Sequence, residues 1–419
     1  MSVLRLLTIN GLIRISAAGS GQLFAFLLAD RMSGHAGVGS ILVGVIGSAF
    51  FLTEMIGAPF AGGLADRVGH QRILRWGPVF GVVSAVAAAS AALGTGSLVI
   101  LVVILFIARL NEGASAAFSV PTTLTLLSRI TDGEVRRRTR VMGAFEITSL
   151  VGMIAGYVVV GVAWDAYGAS AFLVLPPIYA LAWWLVGRPD YALKPSLNEI
   201  QKSEAATHSS VRALLLRFAT DSKNVAFGVS WLAVNAIVGL WLQQTPYLLS
   251  LPDRSPSQAL VGGFSGQEIG VIFAVWGAAF LLGIALWSWL APEMERRRAM
   301  SISLIGMLGA VASIAWLNHG GPAAIVWFGV AMVMVEAGFT PAAFAHLAEL
   351  TAPIDASRGA VLGLYSVILG AGQLMGNLLG GLFAARWQMD GVLVLTIILA
   401  LVSLAGALFM TAQTRKEQS

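Results

Sequence analysis

The chain has 419 residues, of which 57% are apolar and only 11% charged, with a mean hydropathy of +0.81. Soluble domains carry roughly 25% charged residues, so this chain has too little polar surface to clothe a soluble globule and belongs in a bilayer. Cysteine is absent, which excludes disulfides, thiolate chemistry and cysteine metal sites together.

Windows of about 20 residues with one charge or none can cross a hydrocarbon layer about 30 Å thick, and a backbone in lipid must be helical to satisfy its own hydrogen bonds. Such windows predict twelve spans, at 6–30, 40–63, 73–94, 97–128, 140–163, 169–187, 225–250, 266–290, 299–318, 322–348, 359–384 and 390–412. The start, MSVLRLLTINGLIRIS, has the basic-then-apolar order of a signal peptide. Arg14 interrupts it, however, and the apolar pattern runs on to Leu28, so an uncleaved first span is expected.

Lys and Arg fall unevenly about these spans. The N-terminus, the even-numbered connections and the C-terminus collect most of them, among them Arg5, Arg67, Arg72, Arg75, Arg136, Arg137, Arg138, Arg296, Arg297 and Arg298; the opposite side holds Arg31, Arg254 and Arg386. That bias predicts a multi-pass protein of the cell (inner) membrane with both termini cytoplasmic. It also accounts for the pI near 9.8 without a nucleic-acid partner, since the arginines are spread over short loops. Residues 188–224 are polar, carry both signs of charge and read as a cytoplasmic linker, with an amphipathic stretch from Val211 to Phe218 lying on the membrane face. The expected organisation is an N-terminal six-helix bundle over 1–187, the linker over 188–224, and a C-terminal six-helix bundle over 225–419.

The two halves look related. A shift of 220 residues lays VMGAFEITSLVGMIAGYVVVG (Val141 to Gly161) over VLGLYSVILGAGQLMGNLLGG (Val361 to Gly381), so that Gly143, Gly152, Gly156 and Gly161 meet Gly363, Gly372, Gly376 and Gly381. The same shift puts span 5 on span 11. A parallel six-plus-six repeat is a transporter architecture, with the substrate cavity near the midplane between halves, and small residues at every fourth position let helices pack closely in lipid.

Between spans 2 and 3 the segment GGLADRVGHQRIL, Gly62 to Leu74, closely resembles the loop signature of the major facilitator superfamily, with Gly62, Asp66, Arg67, Gly69 and Arg72 at the matching positions. Gly69 suits a tight turn. Asp66 can accept from a helix N-terminus or an Arg, which makes these residues a candidate conformational latch. The second half holds a decayed copy, LAPEMERRRAM, with Pro292 at the Asp position. On span 4, RLNEGASAAF is similar to the Arg-x-x-Gln-Gly pattern of many proton-coupled members, with Arg109, Glu112 and Gly113 in place and Glu replacing Gln. On span 5, Gly143, Gly152 and Gly156 keep the glycine spacing of drug–proton antiporters, but Met153 stands where those have Pro.

Charges inside spans are costly and by default functional. Arg109 and Glu112, three apart, share a helix face and can pair; a static structural salt bridge is the alternative. Glu54, Glu146 and Glu336 are further acids in apolar sequence, and Glu336 follows Glu112 by 224 residues while Arg109 is matched by Val333. The acid recurs and the base does not. The resemblance implies that spans 1, 4, 7 and 10 line the cavity, which puts Glu112 and Glu336 there; with Arg109, and with Glu54 on span 2 and Glu146 on span 5, either of which could instead brace helix packing, they are the proton-coupling candidates. Arg14, Trp241, Gln243, Gln244, Gln373 and Asn377 are the substrate-cavity candidates, although the tryptophans also suit packing and interfacial belts. Enzyme readings fail for lack of parts: there is no HExxH and no nucleotide loop, and His346 with Glu349 makes a poor metal site.

The resulting expectation is an all-α membrane protein with the major facilitator fold, twelve transmembrane helices in two pseudo-symmetric six-helix bundles. It works by alternating access as a monomer, needs no cofactor, and couples protons to the export of small lipophilic or cationic compounds. The rivals are a proton-coupled importer or uniporter of a metabolite, and a transport-inactive sensor or scaffold.

Overall fold

The computed structural model describes residues 1–94, 96–131, 134–188, 220–290, 294–351 and 358–418, and every regular element among them is helical. In chain order the helices are α1 (Val3–Arg31), α2 (Ala36–Val68), α3 (His70–Gly94), α4 (Leu98–Ile130), α5 (Val135–Tyr167), α6 (Leu175–Gly187), α7 (Ser222–Ser250), α8 (Gly266–Leu290), α9 (Arg296–Asn318), α10 (Ile325–Glu336), α11 (Phe339–Thr351) and α12 (Arg358–Gln418). Among the described residues, ten stretches are long and apolar enough to cross a membrane. Two of them, Arg140–Gly187 and Ser366–Ala412, are of double length at 48 and 47 residues. The first is interrupted by a 3-10 turn at Gly168–Val174, the second by Gln388, whose φ of 52° no helix accommodates. Counting each as two gives the twelve crossings.

The connection between the second and third crossings is shorter than expected. The hydropathy pattern predicts a loop over residues 64–72, yet α2 runs to Val68 and α3 starts at His70, so the turn is Gly69 alone. Its φ of 99° is the left-handed conformation that suits glycine at a helix end. Its N–H donates to the Ala65 carbonyl at 3.0 Å, and its own carbonyl accepts from Arg72 at 3.1 Å to start α3. Hydropathy marks the apolar middle of a helix, and these helices continue past it into charged sequence. The tenth crossing likewise divides, because α10 stops at Glu336 and α11 begins at Phe339. Residues 189–219 of the linker, with the amphipathic stretch 211–218, and Pro292 of the second-half motif copy lie outside the described residues.

The chain forms two compact units. The first comprises Met1–Gly34, Val45–Glu204 and Phe264–Ala274, where 189–204 are outside the described residues; the second comprises His35–Gly44, Ala205–Gly263 and Val275–Ser419. In the first, α1 packs on α5, α6 and α4, while α3 packs on α4 and α6. In the second, α7 runs along α12 and α9 packs on α10, α11 and α12. Two glycine pairs of the sequence repeat, Gly152 with Gly372 and Gly156 with Gly376, sit at matching seams. A Cβ at Gly156 would come within 2.4 Å of the Ile15 carbonyl oxygen on α1, and one at Gly376 within 1.9 Å of the Ala236 carbonyl oxygen on α7. Gly152 and Gly372 meet the same two partner helices one turn earlier.

The start of α8, within the first unit, shows how helix ends are satisfied. Asp165 on α5 accepts from the N–H groups of Gly266 and Gln267 at 2.7 and 2.8 Å. Ser265 accepts from the Glu268 N–H while Glu268 accepts from the Ser265 N–H, a reciprocal capping box. The first three N–H groups of the helix are therefore all partnered.

Candidate functional site

Arg109 and Glu112 project from one face of α4 into the interior of the first unit, where they are 2% and 1% exposed. Arg109 Nη1 donates to Glu112 Oε2 at 2.5 Å. Two further donors close on the same carboxylate: Ser20 Oγ of α1 reaches Oε2 at 3.0 Å, and the Tyr179 hydroxyl of α6 reaches Oε1 at 2.9 Å. The Arg109 guanidinium lies 4.8 Å from the Phe50 ring centroid and 5.4 Å from that of Phe24, so aromatic faces from α2 and α1 take the place of water around the cation. Its Nε is buried without a partner.

Small residues bring these helices close enough. A Cβ at Gly113, next to Glu112, would fall 2.2 Å from the Phe50 carbonyl oxygen, which sets α2 hard against α4. One at Gly81 on α3 would fall 2.3 Å from the Tyr179 ring, so the absence of that atom is what seats the tyrosine. Ser84 of α3 donates to the Ala108 carbonyl at 2.7 Å and fixes α4 beside Arg109. A buried ion pair is tolerable only when its remaining hydrogen-bonding capacity is met. Here the carboxylate is met by three donors on three helices.

Of the other predicted acids, Glu54 is half-buried on α2, within electrostatic reach of both Arg14 and Arg109, and Glu146 is exposed on α5 within reach of Arg14. Among the described residues Arg14 itself makes no ion pair within 4.0 Å, and its Nε has no partner. Glu336, in the second unit, is the last residue of α10, at the break in the tenth crossing. It is half-buried and makes no hydrogen bond or ion pair among the described residues. The Trp287 indole of α8 donates to the carbonyl of the preceding Val335 at 3.0 Å, which satisfies one backbone group at the break.

The expected cavity residues other than Arg14 lie in the second unit and divide by partner. Trp241 donates to Thr396 Oγ1 on α12 at 2.9 Å, and Gln244 donates to the Ser40 carbonyl at 3.0 Å, so both side chains bind neighbouring helices. Asn377 turns back to the Gln373 carbonyl of its own helix at 2.7 Å, leaving its Oδ1 unpartnered. Gln243 is buried and makes no hydrogen bond among the described residues. In the latch segment, a Cβ at Gly62 would touch nothing within 4 Å, Arg67 is exposed near the end of α2, and Arg72 is in the first turn of α3. The Asp66 side chain lies outside the described residues. His346 pairs with Glu349 at 3.6 Å, and no group of three metal-ligating side chains occurs among the described residues.

Sequence reading missed Ser20, Tyr179, Phe24 and Phe50. Ser20 carried a faint signal, as part of a polar Gly-Ser-Gly-Gln run in an otherwise apolar span; Tyr179 was one hydroxyl in an aromatic-rich segment.

A twelve-crossing, all-helical fold with a repeated unit and a charge pair inside a span is that of a polytopic membrane transporter. The sequence model of the Major Facilitator Superfamily matches residues 11–262 and 227–419, and the chain belongs to that family, whose members are transporters and not enzymes. It is 23% identical over 352 residues to "Multidrug resistance protein 2" of Bacillus subtilis (strain 168), which covers 81% of this chain and 79% of that one. It is 35% identical over 238 residues to "Methylenomycin A resistance protein" of Streptomyces coelicolor, covering 54% of this chain and 47%, about half, of that relative. Among solved structures, the nucleoside transporter NupG and a D-xylose-proton symporter each superpose with a TM-score of 0.71. Identities are 15% and 16%; 98% of this chain is covered in both, with 99% and 97% of theirs. At those identities they show the fold alone.

Proposed function

We propose that this transporter works by alternating access and exports small lipophilic or cationic compounds in exchange for protons. The observation that carries this reading is the buried Arg109–Glu112 pair: an acid that can be neutralised by a proton is held inside a span by donors from α1, α4 and α6. The spans also hold more acids than bases, with Glu54, Glu146 and Glu336 beside Glu112 against Arg14 and Arg109, which favours a cationic or neutral cargo over an anionic one. The names of the two relatives, a multidrug and a methylenomycin resistance protein, support efflux.

The second reading is proton-coupled import or facilitated passage of a metabolite. The nucleoside and xylose transporters of like fold favour it. The excess of Lys and Arg on one side of the spans supports an inner-membrane protein with cytoplasmic termini, and we expect it to act as a monomer, its bundles over 1–187 and 225–419 joined by the 188–224 linker.

The test is proton movement by purified protein in proteoliposomes across a panel of lipophilic cations and neutral metabolites, with Glu112→Gln alongside wild type. Substrate-driven proton flux that disappears in Glu112→Gln is the expected result. Substrate movement indifferent to both the pH gradient and the mutation would instead make the chain a uniporter and the pair structural. A chain that moves no solute would be left with the sensor or scaffold role.

A further inference from the structure

The two oxygens of Glu112 are not equivalent. Oε2 faces Arg109, which has no acceptor and can only donate, together with Ser20; Oε1 faces Tyr179 alone. A phenol can donate or accept by rotating its hydroxyl, whereas a guanidinium cannot. When a hydronium ion from the aqueous phase delivers a proton to the carboxylate, a proton on Oε2 would meet the fixed Arg109 N–H even if the Ser20 hydroxyl turned to accept, whereas on Oε1 the sole partner is one that can reverse its role. The bond formed is Oε1–H, a water molecule is released, and the Tyr179 hydroxyl swings its own hydrogen away to accept from the acid.

On this geometry we propose that Tyr179 is a positioning residue for the transported proton, directing it to Oε1 of Glu112 and keeping that oxygen hydrogen-bonded in both charge states. The proposal rests on the reading of Glu112 as the coupling acid. Tyr179 is 1% exposed, so water does not stand in for it from outside the unit. Its ring position is fixed from α3, which donates nothing to the carboxylate itself, because the space the ring fills is the space a Cβ at Gly81 would occupy. The other ionisable groups acting on this site are Arg109 on α4 and Arg14 on α1, while Glu54 on α2 and Tyr157 on α5 feel Arg109. Among these, Tyr179 alone shares a hydrogen bond with Oε1.

Infrared difference spectra of the protein in lipid, recorded between high and low pH without substrate, test this directly. We expect a carboxyl C=O band that vanishes in Glu112→Gln, and with it, at the same midpoint, a change in a tyrosine C–O band as the phenol turns from donor to acceptor. The tyrosine signal should vanish both in Tyr179→Phe, which assigns it among the six tyrosines, and in Glu112→Gln, which removes its cause. Gly81→Ala keeps the phenol but displaces the ring. It should alter the tyrosine band while leaving the carboxyl titration visible, and should add nothing in the Tyr179→Phe background. A Glu112 carboxyl band that titrates with no tyrosine change would overturn the role of Tyr179 and leave Glu112 standing. Absence of any Glu112-dependent carboxyl band would bring down both.

Discussion

Glu112 shows what a single side chain needs in order to be charged inside a span. Arg109 supplies the counter-charge, Ser20 and Tyr179 supply the remaining donors, and Phe24 and Phe50 flank the cation with ring faces. The pair is therefore worth most as a unit. Arg109→Ala strands a buried carboxylate with two neutral donors, and breaking a buried pair from one side costs about 3–5 kcal/mol. Replacing both partners by apolar residues of similar volume, Arg109→Met with Glu112→Leu, removes the stranded charge and should cost less than Arg109→Ala alone. Denaturation midpoints of the three proteins in the same detergent check this. If the double replacement were as damaging as Arg109→Ala or more so, the two side chains would not be coupled and the site would be read wrongly. Arg14 makes no ion pair within 4.0 Å among the described residues, and its replacement by Gln should be the milder change in the same assay.

Helices in lipid gain little from the hydrophobic effect and associate through close packing instead. The glycine seams of α5 on α1 and of α12 on α7 are where this chain does so. The repeat was legible in sequence because four glycines recurred at one offset. Which of them bear on packing was not, since that depends on the facing helix. A Cβ at Gly143 meets nothing within 4 Å, whereas one at Gly152, Gly156, Gly372 or Gly376 would run into backbone. Gly156→Ala and Gly376→Ala should thus each destabilise by about 1–3 kcal/mol, the usual cost of overpacking where a backbone must give way. Gly143→Ala should be neutral or stabilising by about 0.5–1 kcal/mol, because a helix-interior glycine is replaced where there is room. Thermal unfolding of the three variants separates these outcomes, and equal effects at all three positions would dissolve the distinction.

For the whole molecule, the twelve crossings and the two-fold repeat could be read from hydropathy and offset, since lipid leaves a chain few alternatives to apolar helices of fixed length. Helix ends were less legible, as the single-residue turn at Gly69 and the break after Glu336 show. Of the donors on Glu112, Arg109 was legible from its spacing on the same helix, but the roles of Ser20 and Tyr179 were not, because they come from helices whose packing no local pattern encodes. That packing exposes a difference between the halves which sequence hid. Glu112 in the fourth crossing and Glu336 in the tenth stand 224 residues apart, about one turn off the 220 of the glycine repeat, and the first accepts three hydrogen bonds and the second none among the described residues. A carboxylate saturated by its own protein has little left to offer a cationic cargo, while an unsaturated one at a helix break does. Glu112→Gln should therefore abolish substrate-driven proton flux, whereas Glu336→Gln should preserve it. The latter should weaken binding of a lipophilic monovalent cation by about 10-fold or more, equivalent to about 1.4 kcal/mol, and spare a neutral compound of similar size. Binding titrations with both ligands, run beside the proteoliposome assay, decide the matter. Loss of proton flux in Glu336→Gln with Glu112→Gln unaffected would move coupling to the second unit and leave the three-donor site as a structural brace.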